Sequence, residues 1–462
     1  MTARRVVVVG AGVTGLATAN RLVRDGAGAV DVTVLEASSR VGGLVRTTPF
    51  AGLPAVDEAA DAFLARVPWA RRLAEEVGLG ERLTSPTGAH ASVWHRGLHP
   101  IPGDLMMGVP ASTKAFATSG LFSLRGKLRA ALEPLLPTTD DRDSIGEYVR
   151  ARFGDEVQDF LVDPLVGSIY AADTDRFSLA AVPQIAALTA ERSMLSAARR
   201  ARARAAQEGG VPGQVFATPT EGMGALVAAL ETSIVARGGR IVSDMRVETI
   251  ERAGTSYVVH AGGRSFDCDA VVLCSPARHT AELLRPLHRE TADALSRWTH
   301  ASVVLITFAI PRNQWPAHLD GSGYLVPKPD QRWVTAASFG SNKWSHWRPA
   351  DGSMIVRVSL GRDGLDVLDR DDDSLVNLAL ADMKLHLGRD FAPSHVRVSR
   401  WAESFPQYRP GHFVGVERIE HALSTHAPGV VVAGASYRGI GIPACVQQAH
   451  AAAEKVLAAR PA

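Results

Sequence analysis

Four consecutive valines begin the hydrophobic pattern of the chain. Residues 6–9 form a continuous β-branched run, which is typical of a buried parallel strand. Apolar residues then recur at helical spacing over residues 13–24, and residues 30–35 alternate into a second strand. The pattern therefore predicts a strand, a helix and a second strand at the start of the chain.

Later segments predict two different insertions, and short buried strands return after each of them. Residues 112–206 carry apolar positions at helical spacing and predict helices, with a loop-like interruption at residues 163–173. Residues 300–360 are rich in predicted strands. Short apolar strands that end at turns return near residues 240–242, 270–276 and 429–434.

Gly10, Gly12 and Gly15 lie between the first strand and the first helix, in the order Gly-x-Gly-x-x-Gly. In this context the motif predicts a dinucleotide site, because the glycines allow a tight turn and a close approach of the backbone to a diphosphate. The helix N-terminus then offers N–H groups to the phosphates. Glu36, about 20 residues after Gly15, suits an acid that binds a ribose hydroxyl. A glycine turn in an unrelated α/β protein is the alternative.

Residues 36–44 distinguish a flavin from a nicotinamide. Their Glu-x-x-x-Arg-x-Gly-Gly pattern, with Arg40, Gly42 and Gly43, resembles the second signature of the flavin amine oxidase superfamily. That group includes amine oxidases, carotene desaturases and porphyrinogen oxidases, so the resemblance implies FAD. Arg40 would supply a fixed charge near the diphosphate, and a loop with a solvated arginine is the alternative.

The predicted fold class is α/β. A Rossmann-like FAD-binding domain in three sequence segments is joined by a mixed β-sheet substrate domain and a helical insertion domain. The predicted boundaries are residues 1–52, 213–280 and 398–462 for the first domain, 53–89 and 281–397 for the second, and 90–212 for the third, which ends in a glycine-rich linker at residues 208–213.

Composition narrows the class of protein. The chain has 462 residues, a net charge of +2 and 46% hydrophobic residues, which describe a globular protein without a nucleic-acid partner. It shows no spanning run and no signal peptide. Cys268, Cys274 and Cys445 form no paired motif, so a reduced, cytoplasmic protein is expected. No metal site is expected, because the acidic run at residues 369–374 better suits a helix cap.

Five blocks in chain order resemble the flavin-dependent porphyrinogen oxidases of haem biosynthesis. They are A-D-A-F-L at residues 60–64, S-I-Y-A-A-D at 168–173, G-S-G-Y-L-V-P at 321–327, P-Q-Y-R-P-G-H at 406–412 and A-G-A-S-Y-R-G-I-G-I-P-A-C at 433–445. Three residues depart from the family patterns: Ala60 stands where a proline is usual, and Ser168 and Ala172 stand where glycines are usual.

The resemblance implies oxidation of a porphyrinogen. A hydride would pass to the flavin, and O2 would reoxidise the flavin and give H2O2, so no side chain is assigned as catalytic. Coproporphyrinogen III is the first candidate substrate and protoporphyrinogen IX the second. The FAD is expected to be non-covalent, and a downstream ferrochelatase is a further implied partner.

The resemblance also implies which residues contact FAD. They belong to the glycine turn, to residues 36–44, to the A-D-A-F-L block, to two later strands and to the C-terminal block. They are Gly10, Ala11, Gly12, Val13, Thr14, Gly15, Glu36, Ala37, Arg40, Gly43, Leu44, Ala60, Asp61, Ala62, Val247, Trp401, Gly434, Ile440, Gly441 and Ile442.

The implied substrate contacts are a cation, a tyrosine and a set of wall residues. Arg66 would bind a propionate, and the alternative is a solvated helix arginine. Tyr408 would orient the substrate, and the alternative is a core tyrosine with a satisfied hydroxyl. His412 is predicted to be structural rather than a base. The slot walls would be Leu165, Ser168, Ile169 and Leu325, and the alternative for the three apolar ones is plain core residues.

Other classes remain open. A flavin amine oxidase usually places a lysine in the substrate sheet, and residues 302–309 contain none. A carotenoid desaturase would need an apolar patch for membrane entry, which is not evident. A non-enzymatic flavin-binding or haem-handling protein is the third alternative. The basic helix at residues 192–204 would allow peripheral contact with an anionic membrane, or it is simply a solvated helix.

Overall fold

The computed structural model describes residues 3–137, 142–207 and 215–458. The predicted linker at residues 208–213, with the domain boundary inside it, lies outside the described residues. None of the described helices combines the length and the apolar character needed to cross a bilayer. No group of three or more His, Cys, Asp or Glu side chains within the described ranges could hold a metal ion.

A five-stranded parallel sheet holds the two ends of the chain together. The valines of its central strand are almost fully buried, because helices cover both faces of the sheet. The first helix, Val13–Asp25, packs along the C-terminal helix, Ile442–Ala458. In spatial order the strands are Arg240–Val242, Val30–Leu35, Arg4–Val9, Ala270–Leu273 and Val430–Val432.

A seven-stranded mixed sheet forms the second layer. Its strand pairs are antiparallel, except that Gly323–Leu325 runs parallel to its neighbour Ala91–Trp94. In spatial order the strands are His395–Pro406, His300–Ile310, Met354–Leu360, Val334–Phe339, Gly323–Leu325, Ala91–Trp94 and Leu98–Pro100.

Two parts of the chain lie in the mixed sheet, although the predicted boundaries assign them wholly or partly to the other two domains. The strands Ala91–Trp94 and Leu98–Pro100 belong to the mixed sheet rather than to the helical region, and so does the whole of His395–Pro406. A strand pattern shows that a strand exists but not which strand it pairs with. We therefore propose that the substrate domain includes residues 91–100 and extends to residue 406.

The helical region contains an element that the sequence pattern obscures. Residues 163–173 were predicted as a loop-like interruption, and that prediction is wrong: Asp163–Tyr170 is an α-helix that continues from a turn of π-helix at Gln158–Val162. It ends at Ala171, which has a left-handed φ of 48°. The other helices here are Thr113–Thr118, Leu124–Ala131, Ile145–Phe153, Asp155–Val157, Pro183–Thr189 and Met194–Gln207.

The acidic run before the helix Asp372–Leu387 caps that helix, as predicted. Asp371 accepts a hydrogen bond from the backbone N–H of Ser374 at 2.7 Å.

The remaining helices are Pro68–Glu76, Gly224–Ala236, Ala277–Leu284, Arg289–Ser296, Gly340–Lys343, His412–His426 and Ala435–Arg438. The remaining strands are Thr47–Phe50, Leu53–Asp57, Phe63–Leu64, Leu83–Thr84, Leu105–Met106, Val109–Pro110, Phe216–Pro219, Val247–Ala253, Ser256–Ala261 and Arg264–Cys268.

Candidate functional site

The glycine turn leaves the start of the first helix bare. Gly10 has a φ of +97°, which side-chain-bearing residues rarely adopt, and a Cβ on Gly15 would lie 1.8 Å from the Gly10 carbonyl oxygen. Gly12 is the N-cap residue and offers no side-chain cap to the helix that begins at Val13. The first N–H groups of this helix are therefore available to an anion.

The paired glycines face this turn without any side chain between them. Gly42 donates its N–H to the Ala11 carbonyl at 2.8 Å, and a Cβ on Gly43 would lie 3.1 Å from the Gly12 Cα. Arg40 donates to the Gly43 carbonyl at 2.7 Å and so fixes this second segment. The two backbones form a cradle that any side chain would fill.

Glu36 lies at the carboxyl end of its strand, beside the glycine turn. Its carboxylate accepts hydrogen bonds from the backbone N–H of Ala11 at 2.8 Å and of Ser38 at 2.9 Å. Met245 donates to the Glu36 carbonyl at 2.8 Å, which brings the start of the strand Val247–Ala253 to the same edge. The structure therefore places Ala37 and Val247 next to the acid.

The C-terminal block closes the cradle from the other side. A Cβ on Gly434 would lie 3.6 Å from the Thr14 hydroxyl. Burial raises the pKa of Cys445 to about 11, and a hydrogen bond with Thr14 acts against that rise. Gly441 accepts the N–H of Cys445 at 3.0 Å, where the helix Ile442–Ala458 begins. Residues from the two ends of the sequence thus meet at one helix N-terminus.

The loop at residues 57–62 begins at the last residue of the strand Leu53–Asp57 and contains three buried carboxyl groups, those of Asp57, Glu58 and Asp61. Asp61 is buried, and one of its oxygens accepts hydrogen bonds from Lys343 at 2.9 Å and from the Trp344 indole at 3.1 Å and forms an ion pair with Arg357 at 3.1 Å. Burial alone would raise the pKa of Asp61, but Lys343 and Arg357 outweigh it and hold that pKa well below its usual range. In this block, the backbone rather than the carboxylate is left to meet a ligand.

Asp57 lies in the same loop and has the opposite environment. Burial raises the pKa of Asp57 to about 6, and the negative charge of Asp61 adds to the rise. Oδ1 accepts from the Thr47 hydroxyl and from the Met223 N–H, whereas the buried Oδ2 has no hydrogen-bond partner. Asp57 is therefore a carboxyl group that titrates near neutral pH.

Three of the predicted wall residues lie on one helix, which packs on the strand of the fourth. The helix Asp163–Tyr170 contacts the strands Gly323–Leu325 and Val334–Phe339. Leu165 and Leu325 are half-buried, and Ile169 is 47% exposed. Ser168 is exposed and donates its hydroxyl to the Leu165 carbonyl at 3.0 Å, so its hydroxyl is engaged within the helix.

Tyr408 is fully buried, and its hydroxyl is satisfied within the core. It donates to the Ala435 carbonyl and accepts from the Gly439 N–H at 3.0 Å, while its ring stacks on Phe177. This geometry agrees with the alternative of a core tyrosine and argues against direct substrate contact. Burial also lowers the pKa of His412 to about 4, and its Nε2 lies 2.9 Å from the Tyr437 carbonyl, which fits a structural role.

Arg66 lies outside the helix and the strand that carry the predicted walls. It is exposed and makes no hydrogen bond or ion pair with any other residue in the part of the chain that the structure describes. It follows the short strand Phe63–Leu64 and precedes the helix Pro68–Glu76. Its guanidinium is free to bind an anion, but the structure does not join it to Leu165 or Leu325.

The chain matches known flavoproteins over nearly its whole length. The family model described as flavin containing amine oxidoreductase matches residues 13–457. The chain belongs to this family. It is 31% identical to a coproporphyrinogen III oxidase of Bacillus subtilis (strain 168) over 98% of each chain, and 25% identical to the chloroplastic protoporphyrinogen oxidase of Oryza sativa subsp. japonica over 97% of this chain and 87% of the relative.

A solved structure from Exiguobacterium sp. 255-15 has the same fold. It superimposes with a TM-score of 0.87 and 29% identity over 99% of both chains. The predicted α/β fold class and the resemblance to the flavin amine oxidase superfamily are therefore confirmed.

The residues of the cradle suit the flavin that this family carries. A dinucleotide needs a close backbone approach, free N–H groups and an acid for the ribose. Gly12 and Gly43 provide the first of these, the uncapped start of the first helix provides the second, and Glu36 provides the third. Glu36 already accepts two backbone N–H groups, and carboxylate oxygens retain further lone pairs for hydroxyl donors.

Sequence reasoning missed four charged residues around the candidate site. Arg46 lies three residues after Gly43, pairs with Glu58 at 3.1 Å and carries a second positive charge beside Arg40. Its position so soon after the paired glycines was the available signal. Asp57 gave no signal in the sequence. Lys343 and Arg357 gave none either, because they lie almost 300 residues from the loop that they bind.

Proposed function

We propose that this chain is an FAD-dependent oxidase that converts coproporphyrinogen III to coproporphyrin III in haem biosynthesis, with O2 as acceptor and H2O2 as product. The full-length similarity to the Bacillus subtilis enzyme of that name carries this proposal. The glycine cradle supports it because its backbone suits a dinucleotide, and the wall helix supports it because it offers apolar side chains at the surface.

The FAD in this proposal is bound without a covalent link. Burial raises the pKa values of Cys445, in the C-terminal block, and of Cys274, beside Gly10, so both thiols are poor nucleophiles. Glu36 would accept from the adenosine ribose, and the glycine cradle with Arg40 would hold the diphosphate. When bound, the flavin supplies the hydride acceptor for the reaction.

The chain's own residues would bind and orient the substrate. Leu165, Ile169 and Leu325 would together line one wall of the slot and cover one face of a flat macrocycle, which excludes water from that face. Arg66 would pair with a propionate at the edge. Tyr408 would act without touching the substrate. Its hydroxyl bonds to the Ala435 carbonyl and the Gly439 N–H and so holds the C-terminal block in shape.

Protoporphyrinogen IX is the alternative substrate, and the rice relative supports it. The two substrates differ in whether two side groups are propionates or vinyls, so cations at the pocket edge decide between them. An amine substrate is disfavoured, because the strand His300–Ile310 contains no lysine.

Steady-state turnover separates these substrates. The purified protein is supplied in air with coproporphyrinogen III, protoporphyrinogen IX or benzylamine, while porphyrin fluorescence and H2O2 are recorded. We expect the highest kcat/KM for coproporphyrinogen III, with stoichiometric H2O2. A higher kcat/KM for protoporphyrinogen IX would shift the assignment to the alternative, and turnover of benzylamine alone would exclude both porphyrinogens.

A cytoplasmic location, a downstream ferrochelatase and peripheral membrane contact remain proposals. The basic helix Met194–Gln207 suits a membrane contact less well than expected, because Arg200 pairs with Glu191 and Arg202 pairs with Asp104. A stripe of exposed leucines on the neighbouring helical segment is the better candidate. Its members are Leu124, Leu128, Leu132 and Leu135.

A further inference from the structure

One carboxylate joins the flavin-facing loop to the mixed sheet. Asp61 lies in the loop at residues 57–62, whereas Lys343 belongs to the short helix Gly340–Lys343 and Arg357 to the strand Met354–Leu360. The Lys343 ammonium and the Trp344 indole donate to the same oxygen of Asp61, at 2.9 and 3.1 Å, and the Arg357 guanidinium forms an ion pair with that oxygen at 3.1 Å. Such convergent, charge-assisted donors fix the position of the acceptor strongly.

The backbone of the loop is held from the same side. Arg357 donates to the carbonyl of Ala59 at 2.7 Å and to that of Asp57 at 3.2 Å. The Trp401 indole, on the strand His395–Pro406, donates to the intervening carbonyl of Glu58 at 3.4 Å. Three consecutive carbonyl groups thus accept from side chains of the mixed sheet, which leaves the loop little freedom to shift.

Buried tryptophans hold the two cations in place. The Lys343 ammonium lies 5.2 Å from the centre of the Trp344 ring, and the Arg357 guanidinium lies 5.6 Å from that of Trp347. Both tryptophans are fully buried. Cation–π contacts of this kind restrict where the charged groups can move, so the cations, and with them Asp61, have a defined position.

We propose that Lys343 and Arg357 are positioning residues that hold the loop at residues 57–62 against the flavin. The inference rests on the proposed function, because that function assigns Ala60, Asp61 and Ala62 to the flavin site. The effect of the two cations passes through Asp61 and the loop carbonyls to the shape of the flavin pocket.

The test compares four variants of the flavin-bound protein. Lys343→Met removes the charge and keeps the stem, Lys343→Arg keeps the charge, and Arg357→Met removes the second cation. Lys384→Met is the matched control, because Lys384 lies in the same domain and pairs only with the exposed Asp390. FAD release is followed by the rise in flavin fluorescence after dilution, and the flavin environment by visible circular dichroism.

We expect Lys343→Met to release FAD roughly tenfold faster than the wild type, because a buried charged acceptor loses one of its donors. Its visible circular dichroism should change, Lys343→Arg should restore both signals in large part, and Lys384→Met should match the wild type. The melting temperature of the flavin-free protein should fall as well, because the buried Asp61 loses a partner with or without flavin, so the flavin signals carry the test.

Equal FAD release and equal dichroism in Lys343→Met and the wild type would overturn the proposal. A lower melting temperature of the flavin-free protein with an unaltered flavin spectrum would also overturn it, since that result indicates a purely structural ion pair. Arg357→Met, if it folds, must alter the same two signals. Protein that purifies without any flavin would contradict the proposed function itself, before the variants are compared.

Discussion

Asp57 and Asp61 lie four residues apart and meet opposite electrostatic environments. Asp61 receives two cations and an indole N–H, so it stays ionised although it is buried. Asp57 has an oxygen without any partner and a pKa raised to about 6. At the residue scale, the loop therefore has a fixed charge at Asp61 and, at Asp57, a carboxyl group whose charge depends on pH.

The Asp57→Asn variant should change how stability depends on pH. The pKa of Asp57 is raised in the folded protein above its unfolded value, so its stabilising contribution is complete below about pH 4 and is lost as pH rises through about 6. The unfolding free energy of the variant, relative to the wild type, should therefore rise by on the order of 2 kcal/mol between pH 4 and 7. Urea unfolding of both proteins across this range measures it.

Two buried histidines act in the opposite direction, and the comparison removes their effect. Burial lowers the pKa values of His386 and His412 to about 4, so their contribution is lost as pH falls from 6.5. They are the same in both proteins and cancel in the difference. Asp390→Asn, at a carboxylate with a 78% exposed side chain, is the control. A pH-independent difference for Asp57→Asn would contradict the assignment.

Arg66 is the residue on which propionate binding depends in this account. Arg66→Ala should raise the KM for coproporphyrinogen III roughly tenfold and leave kcat nearly unchanged, because a charge-assisted contact outside the reacting centre is lost. Arg72→Ala, an exposed arginine on the adjacent helix, is the control. An unchanged KM for Arg66→Ala would remove Arg66 from the substrate site.

At the scale of single elements, the helix Leu124–Ala131 and the turn Glu133–Leu135 carry an unusual surface. Leu124, Leu128, Leu132 and Leu135 follow helical spacing and are 73%, 60%, 50% and 75% exposed. The neighbouring Arg125 is exposed, and the acid of the segment, Glu133, is buried against Arg152. Apolar and basic groups without an exposed acid suit an anionic lipid surface.

Vesicle binding tests this surface. The protein should co-sediment with vesicles that contain phosphatidylserine and less with vesicles of phosphatidylcholine alone, and Leu124→Ser with Leu128→Ser should reduce the bound fraction several-fold. Leu385→Ser, at an exposed leucine of the substrate domain, is the control. If the wild type fails to sediment with either vesicle, this surface does not bind lipid.

Sequence patterns predicted elements well wherever burial has a regular period. The strand Val30–Leu35 has its predicted bounds, because alternation in a buried strand reflects which face each side chain occupies. The helix Asp163–Tyr170 was missed, since its glycine, serine and proline suggest a loop. Its helical form depends on tertiary contacts: Asp163 forms a buried pair with Arg362, almost 200 residues away.

The candidate site divides in the same way. The glycine turn, Glu36 and Gly43 were predicted because each serves a local backbone requirement within the first 45 residues. Lys343 and Arg357 could not be predicted, because nothing local distinguishes them from surface cations. Tyr408 was identified because its block resembles the family pattern. Its burial, however, follows from the folded arrangement, and that burial decides its role.

At the scale of the whole molecule, the chain returns twice to the sheet with which it starts. Strands from residues 4–35, 240–273 and 430–432 form one parallel sheet, and the two long excursions supply the mixed sheet and the helices. The glycine cradle is therefore assembled from both ends of the chain. In the function that we propose, the two excursions supply the surfaces that select a substrate.

The most direct test of the account is one anaerobic half-reaction. The flavin-bound protein is mixed with coproporphyrinogen III in a stopped-flow spectrometer without O2, and the flavin absorbance is recorded. Porphyrin formation is recorded after O2 is admitted, because a porphyrinogen must lose two electrons three times and one flavin accepts only two. We predict rapid bleaching of the flavin, faster than with protoporphyrinogen IX, and recovery of the absorbance when O2 is admitted. A flavin that neither porphyrinogen bleaches would contradict the central claim.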